Sequence, residues 1–335
     1  MTEDISQEFL KLIHRYFAEF EVDYLKDFPE LDGYQVFSGD GHYINHASHA
    51  GRDSSGKNYA AGTLYAQNVR TGLLSVLDVI TDGNRKSHEM PIFRKAVDAR
   101  LKKEKTLWIL DRAFVDKSWW PEKVKDQQHV IVRVKKKTVL VEFAELKFDA
   151  TMDVNTGVTR FYKATMGEDG AVQRIIEYTD PETHHKYQFV TTLTHVEPGL
   201  IAWLYLLRWR IEKAFDDLKN NLFEKKAWAT GKTALKTQSM MICMAYNFMR
   251  FVKELLHNKE NIDDQKVIIK YENELKKREC KALKKGRSIH PFLKKIRRMP
   301  KLSRQFVSTV KSYFYQKNPL KDLIGEFRVM MEAYL

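Results

Sequence analysis

One segment limits what this chain can fold into more than any other: Leu204–Leu222, LYLLRWRIEKAFDDLKNNL. It reads as a single helix. At about 100° per residue, Arg208 sits roughly −60° from Tyr205, Glu212 about −20° and Lys219 about −40°. These side chains therefore share one narrow arc, spread along about 21 Å of helix. A carboxylate flanked on one stripe by a phenol, a guanidinium and an ammonium suits a cation lying next to a chain of phosphates. The carboxylate holds the cation, and the phenol and basic groups hold phosphate oxygens on either side. A solvated charged face is the plainer account, since Arg208 and Glu212 form an ordinary i,i+4 pair. The remainder of the chain has to decide between them.

A second constraint comes from charge. Lys and Arg number 57 against 44 Asp and Glu, a net charge of +13 in 335 residues. That excess favours a polyanionic partner, most often nucleic acid. A hydrophobic fraction of 43% with 12% aromatics is that of a folded protein. No stretch reaches transmembrane length and the N-terminus MTEDISQEFLKLIHRYF has no signal pattern, so no membrane association and a cytoplasmic location are expected. Cys243 and Cys280 are far apart and offer neither a disulfide framework nor a zinc pair; Cys243, inside MMICMAYNFM, reads as a core residue.

Acidic residues recur where strands end. YQVFSGDG (34–41) reads as a short strand reaching Asp40. TLYAQNVR (63–70) and GLLSVLDVI (72–80) read as two strands joined by a tight turn. SHEMPIFRKAVDARLKKEK (87–105) reads as a helix with Ser87 as N-cap and Glu89 near its first turn. TLWIL (106–110) is apolar throughout, as a buried strand requires, and delivers Asp111. DKSWWPEKVK (116–125) starts a further helix. From 129 to 193 the chain breaks into short β-branched segments, of which the first and last, HVIVRVKKK and HKYQFVTTL, are assigned to the main sheet. Glu197-Pro198 opens the helical C-terminal half, and KKRECKALKKGRSIHPFLKKIRRMPK (276–301) is either a solvated charge run or a DNA-facing arm.

The order is strand with Asp40, two strands and a helix, strand with Asp111, β-rich insertion, helix with Glu212. A ribonuclease H-like sheet presents carboxylates in this way: one from its first strand, one from the neighbouring fourth, one from a later helix across the sheet edge. The expected fold is thus α/β, a ribonuclease H-like mixed sheet with a β-rich insertion and a helical C-terminal region. Residues 1–30 form a short N-terminal helical segment, 31–135 the first part of the core, 136–186 the insertion, 187–252 the second part with the signature helix, and 253–335 a basic helical region. Carboxylates brought together in this manner suit two Mg²⁺ ions, which keep water and substrate phosphate oxygens as their other ligands.

The spacing Tyr205-x2-Arg208-x3-Glu212-x6-Lys219 resembles the signature of DDE transposases of the insertion sequence 4 family. VTTLTHVEPGLIAWLYLLRWRIEKAFDDLK resembles that family's strand, connector and catalytic helix, and SMMICMAYNFMRF (239–251) the apolar helix after it. LWILDRAF resembles the segment with the second acidic residue. The resemblance covers about residues 34–251 and is most specific over 190–251. It implies a triad of Asp40, Asp111 and Glu212 holding Mg²⁺, with Mn²⁺ able to substitute. Tyr205, Arg208 and Lys219 would contact the phosphates or terminal base of the element end. It further implies cleavage at transposon ends, attack of the freed 3′-hydroxyl on target DNA, double-stranded DNA as partner, a homodimer on that DNA, and a nucleoid-associated protein.

Two departures stand out. His42 occupies a position where many relatives carry Thr or Ser, with Asp32, before the strand, as the fallback acidic residue. Fewer than 40 residues precede Asp40, where many relatives carry a DNA-binding domain. End recognition is then expected from the basic C-terminal region or the core, unless a part is missing. A nuclease of the same fold without strand transfer and a domesticated DNA-binding derivative remain open. His42, His46 and His49 beside Asp40 read as a metal site or, more commonly, as polar loop residues. Asp216, about 20° from Tyr205, is the decoy for Glu212. Trp119, Trp120, Trp203 and Trp209 read as packing residues, one of which could stack on an unpaired base.

Overall fold

A computed structural model of the chain describes residues 3–45, 47, 60–80, 89–99, 104–135, 138–222, 224–262, 265–295, 302–316, 322, 325 and 329. Helix α1 (Glu3–Ala18) is followed by β1 (Gln35–Asn45), β2 (Ala60–Asn68), β3 (Leu74–Ile80), α2 (Glu89–Asp98), β4 (Thr106–Leu110), α3 (Trp119–Lys123) and β5 (Gln128–Arg133). Next come β6 (Leu140–Glu145), β7 (Val158–Met166), β8 (Gln173–Thr179) and β9 (Lys186–Thr191). The rest is helical: α4 (Pro198–Leu207), α5 (Trp209–Asn220), α6 (Lys232–Asn258), α7 (Gln265–Leu283), α8 (Phe292–Lys295) and α9 (Arg304–Tyr315).

The strands form one sheet in the order β3-β2-β1-β4-β5-β9-β8-β7-β6. β1, β4 and β5 run parallel, and the other pairings are antiparallel. β4 lies at the centre of the parallel part, and the run TLWIL is buried along its whole length. Alternate residues of a strand face opposite sides. Leu107 and Ile109 accordingly join Val36, Ile131, Leu200 and Leu204 in one core, while Trp108 and Leu110 join Phe37, Phe93, Trp120 and Val132 in the other. On the second side, Phe93 of α2 sets its ring edge-to-face against Trp108 and Phe114, both at 5.0 Å. With helices over both faces, a polar side chain in place of Leu107, Trp108, Ile109 or Leu110 would lose a burial contribution of about 1.5–3 kcal/mol. This mixed α/β architecture is consistent with the ribonuclease H-like fold expected from the sequence.

The strands of residues 136–186 do not stand apart from that sheet. β9 pairs with β5, and β8 pairs with β9 from Arg174↔Thr191 to Thr179↔Lys186, so the backbone ladder runs on without interruption into β7 and β6. After β9 the chain crosses back as α4, whose first turn presses on the 153–155 turn. Asn155 accepts from the Gly199 amide at 3.0 Å and donates to Glu197 at 3.0 Å. A Cβ on Gly199 would lie 1.8 Å from the Val154 carbonyl oxygen, so only glycine permits this approach.

The single helix expected over 204–222 is two. α4 ends at Leu207, α5 starts at Trp209, and Arg208 joins them. Its backbone stays helical (φ −52°, ψ −33°), but the bonds around it tighten to three-residue steps, Arg208 N to Tyr205 O at 3.1 Å and Ile211 N to Arg208 O at 3.1 Å. The two helices have different neighbours, which accounts for the change. α4 is buried almost throughout in the sheet's first core, whereas α5 buries only Ile211, Ala214 and Leu218, which join α6 in another.

α6 lies along the β3 edge. Asn247 clamps the backbone of Leu74, accepting from its amide and donating to its carbonyl, both at 2.8 Å. Cys243 is buried there and donates to the same carbonyl, while Cys280 is exposed on α7. Among the described residues, no helix is long and apolar enough to cross a membrane.

Candidate active site

Parallel register fixes the position of the two aspartates. Gly39 of β1 is opposite Leu110 of β4, and Leu110 is opposite Val132 of β5. The next residue on each strand, Asp40, Asp111 and Arg133, therefore lies in one row across the sheet. In α/β proteins ligands collect at the carboxyl ends of such strands. Asp111 leaves β4 there and opens a short turn, 112–114.

Arg208 unites the rest. Its Nη1 lies 3.3 Å from Asp40 Oδ2, and its Nη2 donates to Glu212 Oε1 at 2.7 Å. The guanidinium is almost wholly buried, with a side-chain exposure of 8%, and its Nε has no hydrogen-bond partner among the described residues. Burial works against its charge, but Tyr205, Glu212 and Asp40 together hold its pKa above the ordinary value. Asp40 accepts a further bond from the Gly41 amide at 2.9 Å. Burial pushes the Asp40 carboxyl up to about 6; Arg208 and the Gly41 amide oppose the shift, and the negative charges of Glu89 and Asp111 add to it.

Tyr205, in the last turn of α4, lies with its hydroxyl 3.4 Å from Asp111 Oδ1 and its ring 4.8 Å from that of Phe189. Burial raises its pKa to about 12, so it meets Asp111 as a neutral donor. Lys219, in the last turn of α5, is exposed. Asp216 is also exposed and lies 3.4 Å from Lys213, so Arg208 grips Glu212 and not the decoy. Asp32 lies outside β1. Of the tryptophans, Trp119, Trp120 and Trp203 are buried, while Trp209, next to Arg208, is 56% exposed.

Sequence reasoning passed over Glu89 except as a first-turn helix residue. The start of α2 folds back over β1, where Glu89 accepts from the Tyr43 hydroxyl at 2.6 Å. A Cβ on Gly41 would come within 2.6 Å of Glu89 Oε1, so the glycine after Asp40 makes room for a further carboxylate. An acidic residue opening a helix gives no sign of where that helix will dock. His42 faces inward: its Nε2 is 3.4 Å from Glu224 Oε2, both residues are buried, and its ring lies 4.9 Å from that of Phe215. His46 and His49, like the Ser87 cap, lie outside the described residues.

Carboxylate oxygens are the ligands that hard divalent cations take. Asp40, Asp111 and Glu212 supply donors of that type. As they stand, no group of three or more His, Cys, Asp or Glu among the described residues is gathered tightly enough to hold a metal ion. The positive group in contact with both Asp40 and Glu212 is the Arg208 guanidinium.

The large mixed sheet with its helices is consistent with a ribonuclease H-like class of protein. The chain belongs to the transposase DDE domain family, which matches residues 33–248. A comparison with curated proteins gives no match. The family supports a transposase enzyme acting on DNA.

Proposed function

We propose that the protein is an insertion sequence 4-type transposase that cuts DNA at the ends of its element and joins them to target DNA, using Asp40, Asp111 and Glu212. The observation that carries this is the Arg208 bridge, which ties a carboxylate from β1 to one from α5 beside the end of β4. Mg²⁺, or Mn²⁺ in its place, held by these carboxylates would polarise the reacting phosphoryl group and activate the attacking oxygen. The residues of the chain do the positioning. Arg208 keeps Asp40 and Glu212 in register, and we assign its guanidinium a contact to a DNA phosphate. Tyr205 orients Asp111 through its hydroxyl. Lys219 meets the DNA backbone farther along α5, and Trp209, exposed next to Arg208, is placed to stack on an unpaired base. Double-stranded DNA is the partner, and a homodimer bridging two ends in the nucleoid is the assembly we propose.

The test uses a supercoiled plasmid carrying the element with its flanking ends. Wild-type protein with Mg²⁺ is expected to excise the element and yield joined products. Glu212→Gln is expected to bind the same DNA without cutting it. Cleavage that persists in excess chelator overturns the metal mechanism, and hydrolysis without joined products replaces the transposase reading by a nuclease.

A further inference from the structure

Arg133 has no part in the signature stripe, yet it completes the row of the two aspartates. It ends β5 at the level where β4 gives way to Asp111. Across the sheet its partner is Phe189 of β9. Its guanidinium lies 4.8 Å over the Tyr187 ring, which stacks on Phe189 at 6.0 Å and 11°. Phe189 in turn touches Tyr205, the residue that reaches Asp111. The charge of Arg133 is felt at the Tyr205 hydroxyl.

Arg208 and Arg133 differ in how they are held. Arg208 is enclosed between two carboxylates. Arg133 is half-buried, rests on an aromatic face, and forms no ion pair with a carboxylate among the described residues. A ring holds the plane of a guanidinium but leaves its N–H groups unspent. The β5 backbone that carries Arg133 lies about one strand spacing, ~4.8 Å, beyond the end of β4, on the side of the site away from β1. This is a place for a second anionic oxygen next to the reacting group.

We propose that Arg133, on its Tyr187 platform, binds the backbone phosphate next to the scissile one, and so fixes which phosphodiester enters the carboxylate row. The ligand class is a DNA phosphodiester, and the inference rests on the transposase reading. Arg133 is a positioning residue: it neither holds the cation nor exchanges a proton.

Binding of the full chain to a labelled 30-base-pair duplex in chelator, followed across a salt series, tests it. Arg133→Ala and Arg133→Gln should each bind on the order of ten-fold more weakly. In both, the slope of log K against log salt should fall by about 0.9, one phosphate contact. Arg133→Lys keeps the charge and should keep the slope, with a smaller loss of affinity because its ammonium lacks the planar fork. A merely structural role would weaken all variants without changing the slope. A wild-type slope in both neutral variants overturns the inference and leaves the transposase reading intact. Absence of salt-dependent binding by the wild-type chain overturns both.

Discussion

Asp40 shows what the proposed site costs its fold. In an unfolded chain its carboxyl would ionise near 3.8; in the folded protein it keeps its proton up to about 6, because burial outweighs the attraction of Arg208. Between those values the folded state binds more proton than the unfolded one. Stability therefore falls as pH rises through that window, and the full loss applies above about 6. Asp40→Asn cannot ionise and escapes the penalty. In chelator we expect it to exceed the wild type by about 1–3 kcal/mol near pH 7.5, with the gain gone near pH 4, by urea unfolding at each pH. The same variant should not cut DNA, an exchange of activity for stability. An equal gain at both pH values would mean that ionisation is not its source. The aspartates were legible in the sequence because a strand pattern leads into each: TLWIL stops at Asp111, whereas β1, expected to end at Asp40, runs on through it to Asn45 along β2. Glu89 and Glu224 were not: each becomes part of the site or its border only when a distant element folds over β1, and nothing local to either residue encodes that.

At the scale of elements, what could be read followed the strength of the local pattern. TLWIL has one reading, a strand covered on both faces, and it is β4 residue for residue. The segment 204–222 kept its helical character but lost its continuity, since the tightening at Arg208 answers to the different neighbours of α4 and α5 and not to any breaker in the sequence. The strands of 136–186 were recognisable one by one, but their ladder partners were not, because a strand's pattern tells which face is buried and not which edge it joins. The start of α4 provides a sharp test of such unseen contacts. Gly199→Ala puts a methyl group against a backbone carbonyl, which no side-chain rotation can relieve. We expect a loss of about 2–4 kcal/mol in urea unfolding. Because α4 sets Tyr205 over Asp111, DNA cleavage measured at a temperature where the variant remains folded should fall too. Unchanged stability would show that the 153–155 turn yields freely.

Over the whole molecule the net charge of +13 seeks a polyanion, and α7 shows how part of it is deployed. One side of this helix is tethered: Arg278 pairs with Glu182 at 2.6 Å and Glu279 with Lys294 at 2.6 Å. Lys276, Lys277, Lys281 and Lys284 surround Cys280 on the other side. At about 100° per residue these lysines span roughly 140°, away from the tethered arc. The sequence left two accounts of this region, a solvated charge run and a DNA-facing arm, and the tethering favours the second, because a helix fixed by one side presents the other in a defined direction. Changing these lysines together to Gln removes the charge and leaves both tethers in place. We expect DNA binding to weaken and its salt slope to fall by about 0.9 for each lysine that meets a phosphate, so up to about 3.6 in all. Thermal stability should stay within about 0.5 kcal/mol of the wild type, as for surface substitutions elsewhere. If the slope is unchanged, α7 is a solvated face, and the DNA contacts fall to the site residues proposed above.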